Sequence, residues 1–226
     1  QPDRLPLHGP EIQYGKMLSS RILRQVCHFS GRLVHRPGPL PWRWARFVRT
    51  HARQGGRLSE QSLGEEKAPQ CFSDLSNLSE KTQTSLQEVF GYTEMSEVQK
   101  EVIPSALSKN QDLVVRAHTG TGKTLAFLIP AIEKLLATPT HGVAVLVVSP
   151  TRELALQIHR EAEMLLSTHE ISSMSMIGGT STRHDQVSVR RKKPKVLVAT
   201  PGRLLEHLER TYLFPTLFEN LQTFVL

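Results

Sequence analysis

The residues best suited to do chemistry stand in a glycine-containing loop, AHTGTGKT, at residues 117–124. Gly120 and Gly122 allow the backbone to turn sharply, so that several N–H groups can point at one anion. Lys123 would reach the β- and γ-phosphate oxygens of a nucleotide, and Thr124 would offer its hydroxyl to Mg²⁺. The pattern therefore predicts a triphosphate-binding loop. Its contact residues would be Ala117, His118, Thr119, Gly120, Thr121, Gly122, Lys123 and Thr124.

A strand and a helix must flank this loop if it is to hold phosphates. The apolar run 113–115 before the loop predicts the strand, and the apolar pattern over 125–136 after it predicts the helix. The N-terminus of that helix would add its partial positive charge at the loop. A glycine-rich turn with an incidental lysine is the alternative. A dinucleotide fingerprint is excluded because Leu125 stands where its third glycine should be.

Apolar strands alternate with helices along the rest of the chain. The predicted segments are strands over 143–148, 171–177, 196–199 and from 224 onward, and helices over 154–166 and 202–209. Continuous apolar strands separated by helices are typical of parallel strands that are buried on both faces. The predicted fold is therefore α/β, a doubly wound parallel sheet with helices on both faces.

Two of these strands lead into short segments that, like the phosphate loop, place the start of a helix directly after a strand. The first leads into Pro-Thr-Arg and the second into Thr-Pro-Gly-Arg, where threonine and proline suit the start of a helix. Carboxyl ends of parallel strands share one edge of a sheet, so both helix starts should lie beside Lys123. With the bare backbone of a glycine pair they could hold a second string of phosphates, although plain helix capping and solvated arginines are the alternative. The residues concerned are Pro150, Thr151, Arg152, Gly178, Gly179, Thr200, Pro201, Gly202 and Arg203.

Two helical patterns precede the phosphate loop. Apolar spacing over 75–90 predicts a helix closed by Gly91, and 97–107 predicts a second helix that Pro104 should kink or end early. Together with the sheet they form one predicted domain, residues 70–226. Mixed charge over residues 61–69 predicts a linker before it.

Residues 1–60 form a basic segment that is predicted to be largely disordered. Residues 1–59 carry eleven Lys and Arg against two acidic residues, whereas 60–226 carry seventeen against nineteen. The net charge of +7 therefore belongs to the tail and says nothing about what the domain binds. The Arg-rich, acid-poor composition favours a mitochondrial transit segment. A disordered RNA-binding arm, in which Trp42 and Trp44 would stack on bases, and a solvated tail are the alternatives.

Other features narrow the possible classes. No apolar run approaches the ~18 residues of a transmembrane helix, so no membrane association is predicted. Cys27 and Cys71 are too few for a disulfide framework or a zinc cluster, which favours a reducing compartment. The run RRKKPK at 190–195 could be a nuclear signal, a solvated turn or a patch that contacts a nucleic-acid backbone.

These segments together resemble the motifs of the DEAD-box RNA helicases, in that family's order. AHTGTGKT is similar to motif I, PTRELALQ to motif Ia, the glycine pair to the GG motif and TPGRL to motif Ib. Two departures are His118, where glutamine is common, and Met95-Ser96, where the family usually has Pro-Thr. The resemblance covers about residues 70–226 and implies a P-loop, RecA-like domain.

The resemblance also implies roles for single residues. Gln99 would hydrogen-bond the adenine edge, and Phe72 or Tyr92 would pack near the base, as in the family's Q motif. Lys123 and Thr124 would serve the phosphates and Mg²⁺. The motif Ia, GG and motif Ib residues named above would grip the RNA sugar–phosphate backbone without reading its sequence.

The function that this resemblance implies is that of an ATP-dependent RNA helicase, active as a monomer with ATP and Mg²⁺, which unwinds short duplexes or remodels RNA–protein complexes. In the family, Asp-Glu-Ala-Asp and a second RecA-like domain follow the strand that starts at 224. Residues 1–226 contain neither, so we expect this chain by itself to hydrolyse ATP poorly or not at all. An ATPase-deficient RNA-binding or assembly factor is the alternative. Tail and motif surroundings most resemble the mitochondrial RNA helicases of fungi, which favours the mitochondrial matrix over the nucleus or nucleolus.

Overall fold

The computed structural model describes residues 69–108 and 112–226. The tail predicted over 1–60 and nearly all of the linker predicted over 61–69 lie outside the described residues. In chain order the elements are α1 (Glu80–Thr84, continued by a π-helical turn at Ser85–Val89), α2 (Glu97–Ser108), α3 (Lys123–Ala137), β1 (Val145–Val148), α4 (Arg152–Leu165), β2 (Ser173–Met176), α5 (Thr182–Lys192), β3 (Val196–Ala199), α6 (Pro201–Arg210) and β4 (Thr223–Val225), with 3₁₀ turns at Phe72–Asp74 and Phe214–Phe218.

The four strands form one parallel sheet in the order β2-β3-β1-β4. Val196 of β3 pairs with Val145 of β1 on one side and with Ser173 of β2 on the other. All four residues of β1 and all four of β3 are buried, as expected for central parallel strands. The predicted parallel α/β sheet is confirmed.

Helices cover both faces of this sheet. Alternate strand residues point to opposite faces, so Val145 and Val147 pack in one cluster with apolar side chains of α2, α3 and α4. Leu146 and Val148 pack in a second cluster with side chains of α5 and α6 and with the 3₁₀ turn Phe214–Phe218. The doubly wound arrangement places the carboxyl ends of β1, β2 and β3 at one edge, where the chain turns into α4, the glycine pair and α6.

The strand predicted over 113–115 does not form. Leu113, Val114 and Val115 belong to no strand and are 40%, 81% and 44% exposed. A strand is held by ladder hydrogen bonds to a neighbour. Within the described residues β4 pairs with β1 alone, and no ladder includes 113–115. The prediction is wrong because an apolar run supplies strand propensity but no partner for its backbone.

Helix boundaries also differ from the sequence pattern. α1 starts at Glu80 rather than near residue 75, because the Ser79 hydroxyl caps it by accepting a hydrogen bond from the Thr82 N–H at 3.4 Å. Gly91 has the left-handed φ of 69° expected where it follows the helix end. α2 continues through Pro104 to Ser108 without an early end. α5 occupies a stretch for which the sequence pattern predicted neither a helix nor a strand.

In the part of the chain that the structure describes, no helix combines the length and the apolar character needed to cross a membrane.

Candidate functional site

The phosphate loop has the backbone geometry that its glycines permit. Gly120 and Gly122 have φ values of 77° and 79°, in the left-handed region that L-residues rarely adopt, and α3 begins at the next residue, Lys123. The Lys123 ammonium donates to the Ala117 carbonyl at 2.9 Å and also to the His118 carbonyl. The loop therefore holds its own lysine within the turn, next to the first residues of the helix.

The N-terminus of α2 is hydrogen-bonded to this loop through two polar side chains. Gln99, which is 4% exposed, accepts from the Ser96 N–H at 2.9 Å and donates from Nε2 to the Gly122 carbonyl at 3.1 Å. The Ser96 hydroxyl donates to the Thr121 carbonyl at 2.8 Å. A Cβ on Gly122 would lie only 2.5 Å from Gln99 Nε2, so only glycine fits this junction. The structure thus brings Gln99 against the phosphate loop.

The two aromatic candidates for packing near a base lie in different environments. Phe72 is 3% exposed and belongs to the hydrophobic core, and its N–H donates to the Thr93 carbonyl at 3.1 Å. Tyr92 is 51% exposed, with its ring centroid 5.7 Å from that of Phe90. Of these two side chains, Tyr92 therefore offers the larger surface to a ligand.

A groove of about 760 Å³ lies between the glycine pair and the N-termini of α4 and α6. Eight of the nine residues predicted for a second phosphate string line it, and the ninth, Pro201, is buried at the start of α6. Five lining residues were missed by the sequence analysis, because they follow the motif positions along α4 and α6 and carry no signal of their own. They are Glu153, Leu205, Glu206, Glu209 and Arg210.

The two threonines of the groove make different hydrogen bonds. The Thr151 hydroxyl accepts from the Leu154 N–H at 3.2 Å and so caps α4. Thr200 occupies the N-cap position of α6 but makes no capping hydrogen bond with its side chain. Its hydroxyl accepts from the Gly178 N–H at 3.3 Å instead. Plain helix capping therefore explains Thr151, whereas Thr200 ties the start of α6 to the glycine pair.

The two arginines that were predicted for the groove also differ. Arg152 is exposed, and its guanidinium lies across the glycine pair so closely that a Cβ on Gly179 would be 2.6 Å from Nη1. Arg203 is 5% exposed, with Nε 3.4 Å from Asp185 Oδ2 and Nη1 3.1 Å from Glu206 Oε2. Its Nε also donates to the Ile177 carbonyl at 3.1 Å. Arg203 is thus a buried, ion-paired residue rather than a solvated arginine.

Charge in the groove is balanced rather than strongly basic. Three arginines and three glutamates line it: Arg152, Arg203, Arg210, Glu153, Glu206 and Glu209. An anion there would be held by positioned donors and by the helix starts, since there is no excess of positive charge. Among the described residues, no group of three or more His, Cys, Asp or Glu side chains could hold a metal ion by itself.

A family model described as DEAD/DEAH box helicase matches residues 96–226. Among curated proteins, ATP-dependent RNA helicase HAS1 of Pyricularia oryzae is 44% identical over 174 residues, which cover 76% of this chain and 28% of that protein. ATP-dependent RNA helicase has1 of Aspergillus niger is 46% identical over 161 residues, which cover 70% and 26%. The chain thus spans about a quarter of the length of these relatives.

Solved helicase structures share the fold. Mss116p bound to ssRNA and AMP-PNP aligns with a TM-score of 0.59 at 31% identity, over 66% of this chain and 31% of that chain. The yeast DEAD-box splicing factor Prp28 aligns with a TM-score of 0.59 at 27% identity, over 65% of this chain and 36% of that chain. The family match runs through the phosphate loop, the glycine pair and both helix starts of the groove, and the chain belongs to the DEAD/DEAH box helicase family.

Proposed function

We propose that this protein is an ATP-dependent RNA helicase that binds ATP at the phosphate loop and the RNA backbone in the groove. The observation that carries the proposal is the groove itself, in which two helix starts and a glycine pair converge at the sheet edge beyond β1, β2 and β3. Backbone N–H groups and exposed arginine suit phosphates, and they carry no sequence information. The expected RNA contact is therefore independent of sequence.

Gln99 has the hydrogen-bonding capacity to read adenine while it holds the phosphate loop. A glutamine amide offers two N–H donors and two acceptor lone pairs, and Gln99 uses one of each within the chain. The remaining donor and acceptor match N7 and the N6 amino group of adenine, whereas guanine presents two acceptors at that edge. Tyr92 would pack near the base. ATP is accordingly favoured over GTP.

Lys123 would release the two loop carbonyls and bind the β- and γ-phosphate oxygens of ATP. Thr124 stands in the first turn of α3, where its hydroxyl would be a ligand for Mg²⁺. Bound Mg²⁺ would neutralise charge that develops on the phosphates during hydrolysis.

Support for RNA as the partner comes from the relatives. The Mss116 structures are complexes with ssRNA, and the HAS1 proteins are named ATP-dependent RNA helicases. Unwinding or remodelling coupled to ATP hydrolysis by the whole protein is part of this proposal. An RNA-binding or assembly factor without turnover is the alternative, and it would bind both ligands without hydrolysing ATP.

The proposal is tested on the full-length protein by ATP hydrolysis with and without single-stranded RNA. We expect RNA to stimulate hydrolysis and Lys123→Ala to abolish it, because the lysine contacts the transferred phosphate. We expect Arg152→Ala to weaken RNA binding and to lower the salt dependence by ~0.7 log units per log unit of salt, the loss of one phosphate contact to a single strand. Unchanged RNA-stimulated hydrolysis in Lys123→Ala would contradict the proposal, and tight binding without turnover would favour the alternative.

Localisation is a separate proposal. The mitochondrial interpretation rests on residues 1–60, which lie outside the described residues, and the relatives give it no support. A fusion of residues 1–60 to a fluorescent protein decides the question. Import into mitochondria would support the transit segment, and a nuclear or nucleolar signal would support the alternative.

A further inference from the structure

We propose that Arg203 is a positioning residue. It clamps the glycine loop of the groove, residues 177–180, from inside the protein instead of contacting RNA. With Asp185 and His207 it forms a buried ion cluster that holds residues 177–180 in place. The inference rests on the proposed function, because the clamped loop is part of the groove offered to RNA.

Burial sets this cluster apart from the surface of the groove. Asp185, Arg203 and His207 are 3%, 5% and 1% exposed. One carboxylate oxygen, Asp185 Oδ2, lies 3.4 Å from Arg203 Nε and 3.3 Å from His207 Nε2. His207 Nδ1 in turn lies 2.9 Å from the Thr211 hydroxyl. The α5 carboxylate therefore joins two residues of α6 below the glycine loop.

The guanidinium of Arg203 connects this cluster to both ends of the glycine loop. Nε donates to the Ile177 carbonyl at 3.1 Å, on the N-terminal side of the glycine pair. On the C-terminal side of the pair, Nη2 donates to the Thr180 carbonyl and, at 3.1 Å, to the Thr180 hydroxyl. The same hydroxyl donates to Asp185 Oδ1 at 3.3 Å. Arg203 thus spans the two residues that bracket Gly178 and Gly179.

A role as clamp follows from the physical chemistry of these groups. Moving the guanidinium out to a phosphate would leave the Asp185 carboxylate buried beside an imidazole, without its main counter-charge. It would also release both carbonyls that fix the loop. A planar guanidinium with five donors can satisfy these acceptors together, whereas a lysine ammonium cannot reach them all. Arg152 and Arg210, which are exposed, are the arginines of the groove that can meet an anion.

The test compares variants of the full-length protein in two measurements. Hydrogen exchange reports the protection of amides 177–180 without RNA, and fluorescence anisotropy with a labelled oligouridine strand reports RNA affinity across a salt series. The variants are Asp185→Asn, Arg203→Lys and Arg152→Ala, with Glu206→Gln as a matched control. Glu206 also pairs with Arg203, but its side chain is 39% exposed at the rim. Melting temperature and ATP affinity identify any variant that fails to fold.

We expect Asp185→Asn and Arg203→Lys to raise exchange of amides 177–180 at least ~5-fold. Both should weaken RNA binding by a similar factor with the salt slope unchanged, because no phosphate contact is lost. Glu206→Gln should leave exchange of amides 177–180 within about two-fold, because its ion pair with Arg203 is at the exposed rim. Loss of its negative charge from the groove should not weaken RNA binding. The inference is overturned if exchange of amides 177–180 is unchanged in both variants, or if Asp185→Asn binds RNA as tightly as the parent. Either result would mean that Arg203 is not a clamp. Failure of Arg152→Ala to affect RNA binding would count against the proposed function instead, since the exchange measurement needs no RNA.

Discussion

At the scale of single residues, the amide of Gln99 joins two parts of the nucleotide site. Its carbonyl accepts from Ser96 and its N–H donates to Gly122, both within the buried junction of α2 and the phosphate loop. Recognition of adenine and the shape of the phosphate loop therefore depend on the same side chain.

We predict that Gln99→Ala weakens ATP binding by ~10-fold or more and lowers the unfolding free energy by about 1–3 kcal/mol. It removes two hydrogen bonds: the Ser96 N–H loses the Gln99 acceptor, and the Gly122 carbonyl keeps the Ala126 N–H as its donor. A fluorescent ATP analogue and urea unfolding measure the two effects. Gln87→Ala is the control, because Gln87 is exposed on the π-helical turn. Equal ATP affinity in both variants would contradict the prediction.

The glycine pair allows a second prediction at this scale. Gly179 has a φ of 94°, and a Cβ there would meet Arg152 Nη1 at 2.6 Å. We expect Gly179→Ala to lower the unfolding free energy by about 1–2 kcal/mol and to weaken RNA binding several-fold, because the backbone is strained and the arginine is displaced.

Gly202→Ala provides the matched control for the stability part of this prediction. A Cβ at Gly202, in the first turn of α6, meets nothing within 4 Å. Alanine there should leave stability unchanged or raise it by up to ~1 kcal/mol. If urea unfolding gives both alanine variants the same stability, the strain assigned to Gly179 is absent.

At the scale of elements, a buried carboxylate fastens the N-terminal helix to the helix of the phosphate loop. Glu133 of α3 accepts from the Ser79 N–H at 3.1 Å, from the Ser79 hydroxyl at 2.9 Å and from the Thr82 hydroxyl at 2.5 Å. His169, from the turn after α4, places Nε2 3.3 Å from the same Thr82 hydroxyl. Three elements distant in sequence therefore meet in one polar cluster.

Stability should consequently fall in mild acid. Burial lowers the pKa of His169 below its ordinary value, while nearby Glu133 acts to raise it and Lys81 to lower it. The unfolded chain then binds more protons than the folded one below about pH 6.5, so the unfolding free energy decreases as the pH falls. Burial lowers the pKa of His159 as well, which acts in the same direction.

We predict that His169→Gln flattens this dependence between pH 7 and pH 5, because it removes one of the groups that titrate only on unfolding. Urea unfolding at several pH values measures the slope. His184→Gln is the control, since His184 is exposed on α5. Identical slopes for the parent and the His169 variant would show that another group is responsible.

At the scale of the whole molecule, parallel topology separates the groove from the basic end of α5. The glycine loop precedes α5, so the N-terminus of α5 lies at the groove. α5 then runs back across the sheet, and its basic end, residues 190–193, lies where β3 begins. Those four residues are exposed, and the ion pairs found among the described residues do not include them.

We predict that replacing Arg190, Arg191, Lys192 and Lys193 with glutamine leaves RNA affinity in the groove within about two-fold. An 11-residue helix at 1.5 Å per residue separates the two ends by ~16 Å, about twice the screening length at physiological salt. Anisotropy with the same oligouridine strand measures the effect, and Arg152→Ala is the positive control. A loss as large as that of Arg152→Ala would place this basic run in the RNA-binding surface.

The sequence by itself determined the class of fold and the residues of the phosphate loop. Continuous apolar runs such as 145–148 are buried on both faces in a parallel sheet, and that pattern is local. The glycines of the loop were predictable for the same reason, because left-handed φ values at Gly120 and Gly122 follow from residue type. It also identified eight of the thirteen residues that line the groove, since parallel strands bring their carboxyl ends to one edge.

Only the tertiary structure decided which of those residues are exposed to solvent and which are held by buried ion pairs. Arg152 and Arg203 follow similar strand ends, yet one is exposed and the other is held by a carboxylate that arrives on α5. Leu113, Val114 and Val115 have strand composition but pair with no strand among the described residues. Ion-pair partners and neighbouring strands come from distant parts of the chain, so the spacing of residues along the sequence does not predict them.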